Sequence, residues 1–138
     1  MEAGDARELL ASARVARLAT CDGEGRPHLV PITFAVEEDT ILTAVDHKPK
    51  RTTHLRRLAN IEANPAVAVL ADHYEEDWSE LWWARADGVA RVLQPGTGEH
   101  ANAVAQLAAR YTQYAKRCPQ GPAVEISVSR WSGWRARP

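Results

Sequence analysis

The residues best suited to chemistry form a basic stretch, Lys48-Pro49-Lys50-Arg51-Thr52-Thr53, at the start of a predicted helix. The first turn of a helix has free N–H groups and partial positive charge, so each exposed cation there costs about 0.3 to 1 kcal/mol. A bound phosphate or carboxylate would offset that cost, because N–H groups, hydroxyls and cations would all bind it. The alternative is a solvated basic surface that forms salt bridges with the acidic residues 72–80.

Aromatic residues form the second informative group. Trp78, Trp82 and Trp83 lie within six positions. On a strand, Trp82 and Trp83 point to opposite faces, so one enters the core and the other faces outward. A large exposed aromatic side chain is typical of an interface or a ligand site. For most of the five tryptophans, including Trp131 and Trp134, core and dimer packing is the alternative.

Other kinds of reactive site have no sequence signature. The five histidines are scattered without metal-ligand spacing, so we expect no metal site. Neither a Gly-x-Ser-x-Gly nucleophile motif, a Gly-x-Gly-x-x-Gly motif nor a Walker A motif is present. Cys21 and Cys118 have no partner at metal or redox spacing, which predicts a reduced cytosolic protein.

Length and composition limit the classes of protein to which this sequence could belong. The sequence has 138 residues, which predicts a single domain over residues 1–138. Its 17 Lys and Arg and 18 Asp and Glu give a net charge of −1, which argues against a nucleic-acid coat protein. The longest apolar run, residues 66–71, is far shorter than the ~20 residues that cross a membrane. The near-zero charge is segregated, with five cations and no acid in residues 48–57 and five acids and no Lys or Arg in residues 72–80.

The elements that must position these residues are mostly strands. Hydrophobic periodicity and Gly or Pro turns predict a mainly β fold, a small six-stranded antiparallel barrel with helices outside. Pro31 cannot donate to a ladder, so its strand lies at an edge or has a bulge there. The predicted helices span residues 2–13, 52–63 and 99–116, and the strands span residues 15–20, 29–36, 40–45, 66–71, 81–93 and 123–135.

Several segments of the sequence resemble those of a known protein family. Residues 13–20 (ARVARLAT), 25–31 (GRPHLVP), 51–58 (RTTHLRRL) and 64–69 (NPAVAV) resemble the pyridoxamine 5'-phosphate oxidase-like split-barrel flavoproteins. Residues 72–74, 77–78 and 81–88 further resemble an actinobacterial branch of deazaflavin (coenzyme F420)-dependent enzymes. The resemblance implies an FMN-binding split barrel over nearly the whole chain.

The same resemblance implies a homodimer with a cofactor at each end of the subunit interface. The ring would lie along the second and third strands, the phosphate at the basic stretch, and the tryptophans near the partner's cofactor. Arg51 stands where related deazaflavin binders often have Lys, which keeps the charge but changes the geometry. The implied cofactor-binding residues are His28, Val30, Pro31, Ile32, Thr43, Ala44, Lys48, Lys50, Arg51, Thr52, Trp78, Trp82 and Trp83.

The implied function is an oxidoreductase that transfers hydride between reduced F420 and a small organic substrate. Its substrate is unknown, and His28, His73 and Tyr74 are proton donors by residue type only. One alternative keeps the fold and replaces F420 with FMN. The other is a non-catalytic protein that carries or binds the cofactor.

Overall fold

The helices of the protein flank one continuous sheet. A computed structural model describes residues 1–45 and 51–136, and it describes residues 51–55 by their backbone alone. The helices are α1 (Ala3–Ser12), α2 (Arg51–Ala63), α3 (Gly98–Arg110) and α4 (Thr112–Lys116), with a 3-10 helix at Trp78–Glu80. The strands are β1 (Ala16–Cys21), β2 (Pro27–Ile32), β3 (Ala35–Glu37), β4 (Thr40–Ala44), β5 (Ala66–His73), β6 (Trp82–Leu93) and β7 (Ala123–Arg135).

The strands pair in the order β2-β1-β5-β6-β7-β4-β3, and each pairing is antiparallel. The predicted mainly β antiparallel fold with flanking helices is therefore confirmed. Within the described residues the sheet is an open split barrel whose edges are β2 and β3. Pro31 lies in the edge strand β2, as its missing N–H predicts.

The number of strands differs from the prediction, because residues 29–36 form two strands instead of one. The break falls at Phe34, whose backbone N–H donates to the Tyr111 hydroxyl at 3.1 Å. The Phe34 carbonyl accepts from Arg110 Nη1 at 2.6 Å, so side chains replace the ladder partners here. The chain therefore turns out of β2 and enters β3 at the other edge of the sheet.

The predicted third helix, residues 99–116, is likewise divided at Tyr111. This residue has extended backbone angles, φ −118° and ψ 117°, and separates α3 from α4. Its hydroxyl lies 2.9 Å from the carbonyl oxygens of both Arg14 and Phe34. The break therefore lets Tyr111 bind the backbone at the corner between β2 and β3.

Two apolar clusters hold the helices against the sheet. The inner face of the barrel packs against Leu10 of α1 and Ile61 of α2. On the opposite side of β4, Leu42 and Ala44 pack against Leu107 of α3. None of the helices in the described parts of the chain has the length and apolarity of a membrane span.

Candidate functional site

A polar group lies where α2 packs against β1, the neighbour of β2. Asn60 of α2 is buried and donates from Nδ2 to the buried Thr20 hydroxyl of β1 at 3.1 Å. Thr20 is the register partner of His28 on β2. Because directly paired residues share a face of a sheet, His28 lies on the inner face beside Thr20, with Val30 and Ile32 following it along β2.

Arg57 lies three residues before Asn60, on the same side of α2. Only 7% of its surface is exposed, and its Nε has no hydrogen-bond partner. Among the described side chains, no Asp or Glu forms an ion pair with it. Burial lowers the pKa of Arg57, and Tyr114 partly opposes that shift, but an arginine stays charged at neutral pH. A buried cation without a counter-ion costs several kcal/mol, which makes Arg57 a candidate anion-binding residue.

His28 also has a polar atom without a hydrogen-bond partner. Its Nδ1 is buried without a hydrogen-bond partner. Burial lowers the pKa of His28, and the positive charges of Arg56 and Arg57 lower it further. The ring is therefore mainly neutral at pH 7, in the positive field of two guanidinium groups.

Hydroxyl groups complete this end of the barrel. The buried Thr43 hydroxyl of β4 donates to the Thr33 carbonyl oxygen at 2.7 Å. The Thr33 hydroxyl and the Tyr114 hydroxyl are also 2.7 Å apart. Tyr114 also acts electrostatically on Arg57 and raises its pKa, so this group lies within electrostatic range of the arginine. We call the whole set the barrel-end site: Thr20, His28, Thr33, Thr43, Arg57, Asn60 and Tyr114.

The structure distributes the predicted strand residues over two faces. Val30, Ile32 and Thr43 are buried, the first two in the inner core beside His28. Pro31 is exposed on the outer face of β2, and Ala44 packs under α3. Lys48 and Lys50 lie outside the described residues. Arg51 and Thr52 begin α2, but their side chains are outside the description as well.

The three clustered tryptophans have different environments. Trp82 packs against the inner core, whereas Trp83 points outward, which confirms the predicted opposite orientation of neighbours on a strand. The Arg85 guanidinium lies 5.7 Å from the centre of the Trp83 ring and bonds Asp87 at 3.0 Å. Trp78, in the 3-10 helix, is 76% exposed.

The acidic residues 72–80 make their polar contacts locally. His73 bonds Glu75, and the Asp77 carboxylate accepts from the Ser79 N–H at 3.1 Å. None of the ion pairs between described side chains joins this segment to Arg56 or Arg57. The alternative in which the basic and acidic stretches neutralise each other is therefore unsupported for these two arginines.

Sequence reasoning did not select Thr33 or Tyr114 as site residues, and it did not identify Arg57 as a buried cation. For Arg57 a signal was present: it precedes the buried Ile61 by four residues, so a cation occupies the buried face of α2. Thr33 and Tyr114 are 81 residues apart in the sequence. No local pattern relates them, because only the packing of α4 near the corner after β2 brings them together.

Comparisons with known proteins agree with this architecture. A family model described as pyridoxamine 5'-phosphate oxidase matches residues 3–135. Similar solved structures include an FAD-binding protein from Mesorhizobium loti (TM-score 0.74, 20% identity, 96% of this chain and 94% of that chain). Others are the heme storage protein HutZ from Vibrio cholerae (0.73, 17%, 98% and 95%) and an FAD-binding protein from Mycobacterium smegmatis (0.66, 23%, 100% and 97%). No curated protein sequence matches the chain.

Proposed function

Because the chain belongs to the pyridoxamine 5'-phosphate oxidase family, we propose that it is an oxidoreductase that binds a flavin-type cofactor by its phosphate group at the barrel-end site. The observation that carries this proposal is Arg57, a buried cation without a counter-ion among the described side chains. A phosphate would neutralise the guanidinium and accept a hydrogen bond from its unpartnered Nε–H. The FAD-binding proteins of similar fold support a cofactor of this class.

The residues present fit such a group. Arg57 Nε and His28 Nδ1 are both without a partner in the part of the chain that the structure describes. Val30 and Ile32 lie on the same face of β2 as His28, but both are buried in the inner core. The fit of the site to the cofactor therefore rests on its unpartnered polar atoms, which suit the phosphate group.

In the proposed mechanism, a bound flavin or deazaflavin supplies the hydride. Arg57 binds the phosphate and fixes the position of the cofactor, which is how a protein converts binding into orientation. The buried Thr20–Asn60 and Thr43–Thr33 hydrogen bonds hold the surrounding elements in place. We assign no described side chain as the proton donor, and we propose that the substrate takes its proton from solvent.

Within this class we propose coenzyme F420, with FMN or FAD as the alternative. The sequence resemblance supports F420, and so does Arg56, which is exposed next to Arg57 and available to the long acidic tail of F420. The two FAD-binding neighbours support a flavin instead. A non-catalytic carrier is the third possibility, supported by the fold shared with HutZ.

Fluorescence titration of the purified protein with F420, FMN and FAD tests the proposal. We expect micromolar binding of F420, weakened about tenfold by Arg56→Ala, with FMN binding unchanged by that substitution. Arg26→Ala is the control, because Arg26 is exposed and bonded to Asp22 at 2.9 Å.

Other outcomes of the titration separate the alternatives. Tight FMN binding without F420 binding would assign a flavin. Heme binding with neither cofactor would contradict the proposed oxidoreductase. Turnover of reduced F420 with any organic acceptor would exclude a pure carrier.

We also propose that the protein is a homodimer and that the outer face of the sheet is its interface. On this face Leu29 is 66% exposed and Val89 is 55% exposed. Pairing through Ala19, Ala68 and Asp87 joins these residues to one continuous surface. Large exposed apolar side chains on one face of a sheet are typical of a site for a second protein chain.

Lysine at both Leu29 and Val89 is expected to convert the dimer into a monomer, because two charges would be buried against apolar surface. Light scattering after size-exclusion chromatography measures the mass. Val15→Lys is the control, since Val15 is exposed between α1 and β1. A dimer that survives the double substitution would contradict this interface.

A further inference from the structure

We propose that His28 is a second phosphate-binding residue beside Arg57 and that it takes up a proton from solvent when the phosphate binds. This inference rests on the proposed function, because it concerns the same barrel-end site. It adds a role for the histidine that neither the family match nor the similar structures assign. Its consequence is that a phosphate group binds more tightly as the pH falls.

The His28 ring lies in a positively charged environment. His28 pairs with Thr20 of β1, Thr20 bonds Asn60 of α2, and Arg56 and Arg57 of that helix act electrostatically on the ring. The charged groups that act on it are the two arginines, and no carboxylate in the described parts of the chain contributes. Its Nδ1 is buried and bonds to nothing described.

A bound anion would change the pKa of His28. Without a ligand, burial and the two positive charges keep the pKa of His28 below its usual 6.5. A phosphate bound to Arg57 would neutralise that positive field and offer an acceptor to the ring, and both effects raise the pKa.

The direction in which pH changes the affinity follows from the pKa of His28 in the free protein and in the complex. When this pKa is higher in the complex, binding takes up a proton at any pH between the two pKa values. Affinity therefore rises as the pH falls through the pKa of the complex. It stops rising below the pKa of the free protein. The limit is about tenfold per pH unit for a single proton.

Inorganic sulfate is the probe, because it has the charge of a phosphate without a titration between pH 5 and 8. Titration calorimetry of the full chain at pH 7, in buffers of different ionisation enthalpy, measures the protons taken up. We expect about 0.5 to 1 proton per sulfate and about three- to tenfold tighter binding at pH 6 than at pH 7. In the NMR spectrum, sulfate should raise the pKa of the His28 ring.

Two histidine variants make the test specific. His28→Gln keeps an N–H donor but cannot titrate, so sulfate should still bind while the proton uptake disappears. His73→Gln is the matched control, because His73 is exposed and bonds Glu75 away from α2. It should leave both the affinity and the proton uptake unchanged.

The outcomes that overturn the inference differ from those that overturn the function. Arg57-dependent sulfate binding without proton uptake, or with equal uptake in His28→Gln, contradicts the role of His28 and leaves the cofactor proposal intact. Failure of sulfate, F420 and FMN to bind contradicts both. Uptake that depends on His28, together with cofactor binding, supports both.

Discussion

Substitution of Arg57 by methionine is expected to stabilise the ligand-free protein and to weaken binding of F420 and FMN about 100-fold. The buried guanidinium has no counter-ion among the described residues, so an apolar side chain of similar length removes a desolvation penalty. We expect a gain of about 1 to 3 kcal/mol in the free energy of unfolding. The lost affinity corresponds to about 2.7 kcal/mol, within the range for loss of a buried charged contact. Chemical denaturation and fluorescence titration measure the two effects.

Two neighbouring substitutions are the controls for Arg57→Met. Arg56→Met removes an exposed arginine on the same helix and should change the free energy of unfolding by no more than about 0.5 kcal/mol. Arg57→Lys keeps the charge without the planar fork, so it should weaken binding without the gain in stability. A methionine variant that is less stable than the wild type would show that Arg57 has a structural partner, and would contradict the anion site.

Substitution of Arg110 by alanine is expected to lower the free energy of unfolding by about 3 kcal/mol. Arg110 donates from Nη1 to the Phe34 carbonyl at 2.6 Å and from Nη2 to Ala11 at 2.8 Å and to Ala13. Hydrogen bonds to charged groups each contribute about 1.5 to 3 kcal/mol. The guanidinium also lies 4.7 Å from the centre of the Phe34 ring. Urea denaturation measures the loss.

Arg14→Ala is the matched control for Arg110→Ala. The Arg14 guanidinium lies 4.9 Å from the centre of the Tyr111 ring, but it makes one hydrogen bond among the described residues, to the Arg110 carbonyl at 3.1 Å. We expect its loss to cost less than about 1 kcal/mol, because this contact is exposed. Equal losses in the two variants would show that the contacts of Arg110 with Ala11, Ala13 and Phe34 contribute little.

The periodic features of the fold were predictable because they depend on neighbours in the sequence. The alternation at Trp82 and Trp83 follows from strand geometry, and the edge position of Pro31 follows from its missing donor. The break at Phe34 was not predictable in this way. It depends on Arg110 and Tyr111, which are more than 70 residues away.

The candidate site was predictable only in part. The basic stretch indicated an anion, and His28 was among the predicted binding residues. The sequence did not indicate which cation would be buried, because burial of Arg57 depends on how α2 packs against the sheet. The binding roles of Lys48, Lys50, Arg51 and Thr52 remain predictions from sequence, since the structure does not describe their side chains.

The strand order has a consequence for how the chain folds. Although β2 and β3 are joined by only Thr33 and Phe34, they lie at opposite edges of the sheet, and the β3–β4 hairpin reaches the other strands through β7. The barrel-end site cannot be complete until this last strand pairs with β4. Such long-range pairing slows folding to milliseconds or seconds. Until then, β4 offers an unpaired edge to other chains, so the nascent protein is exposed to aggregation for as long as β7 remains undocked.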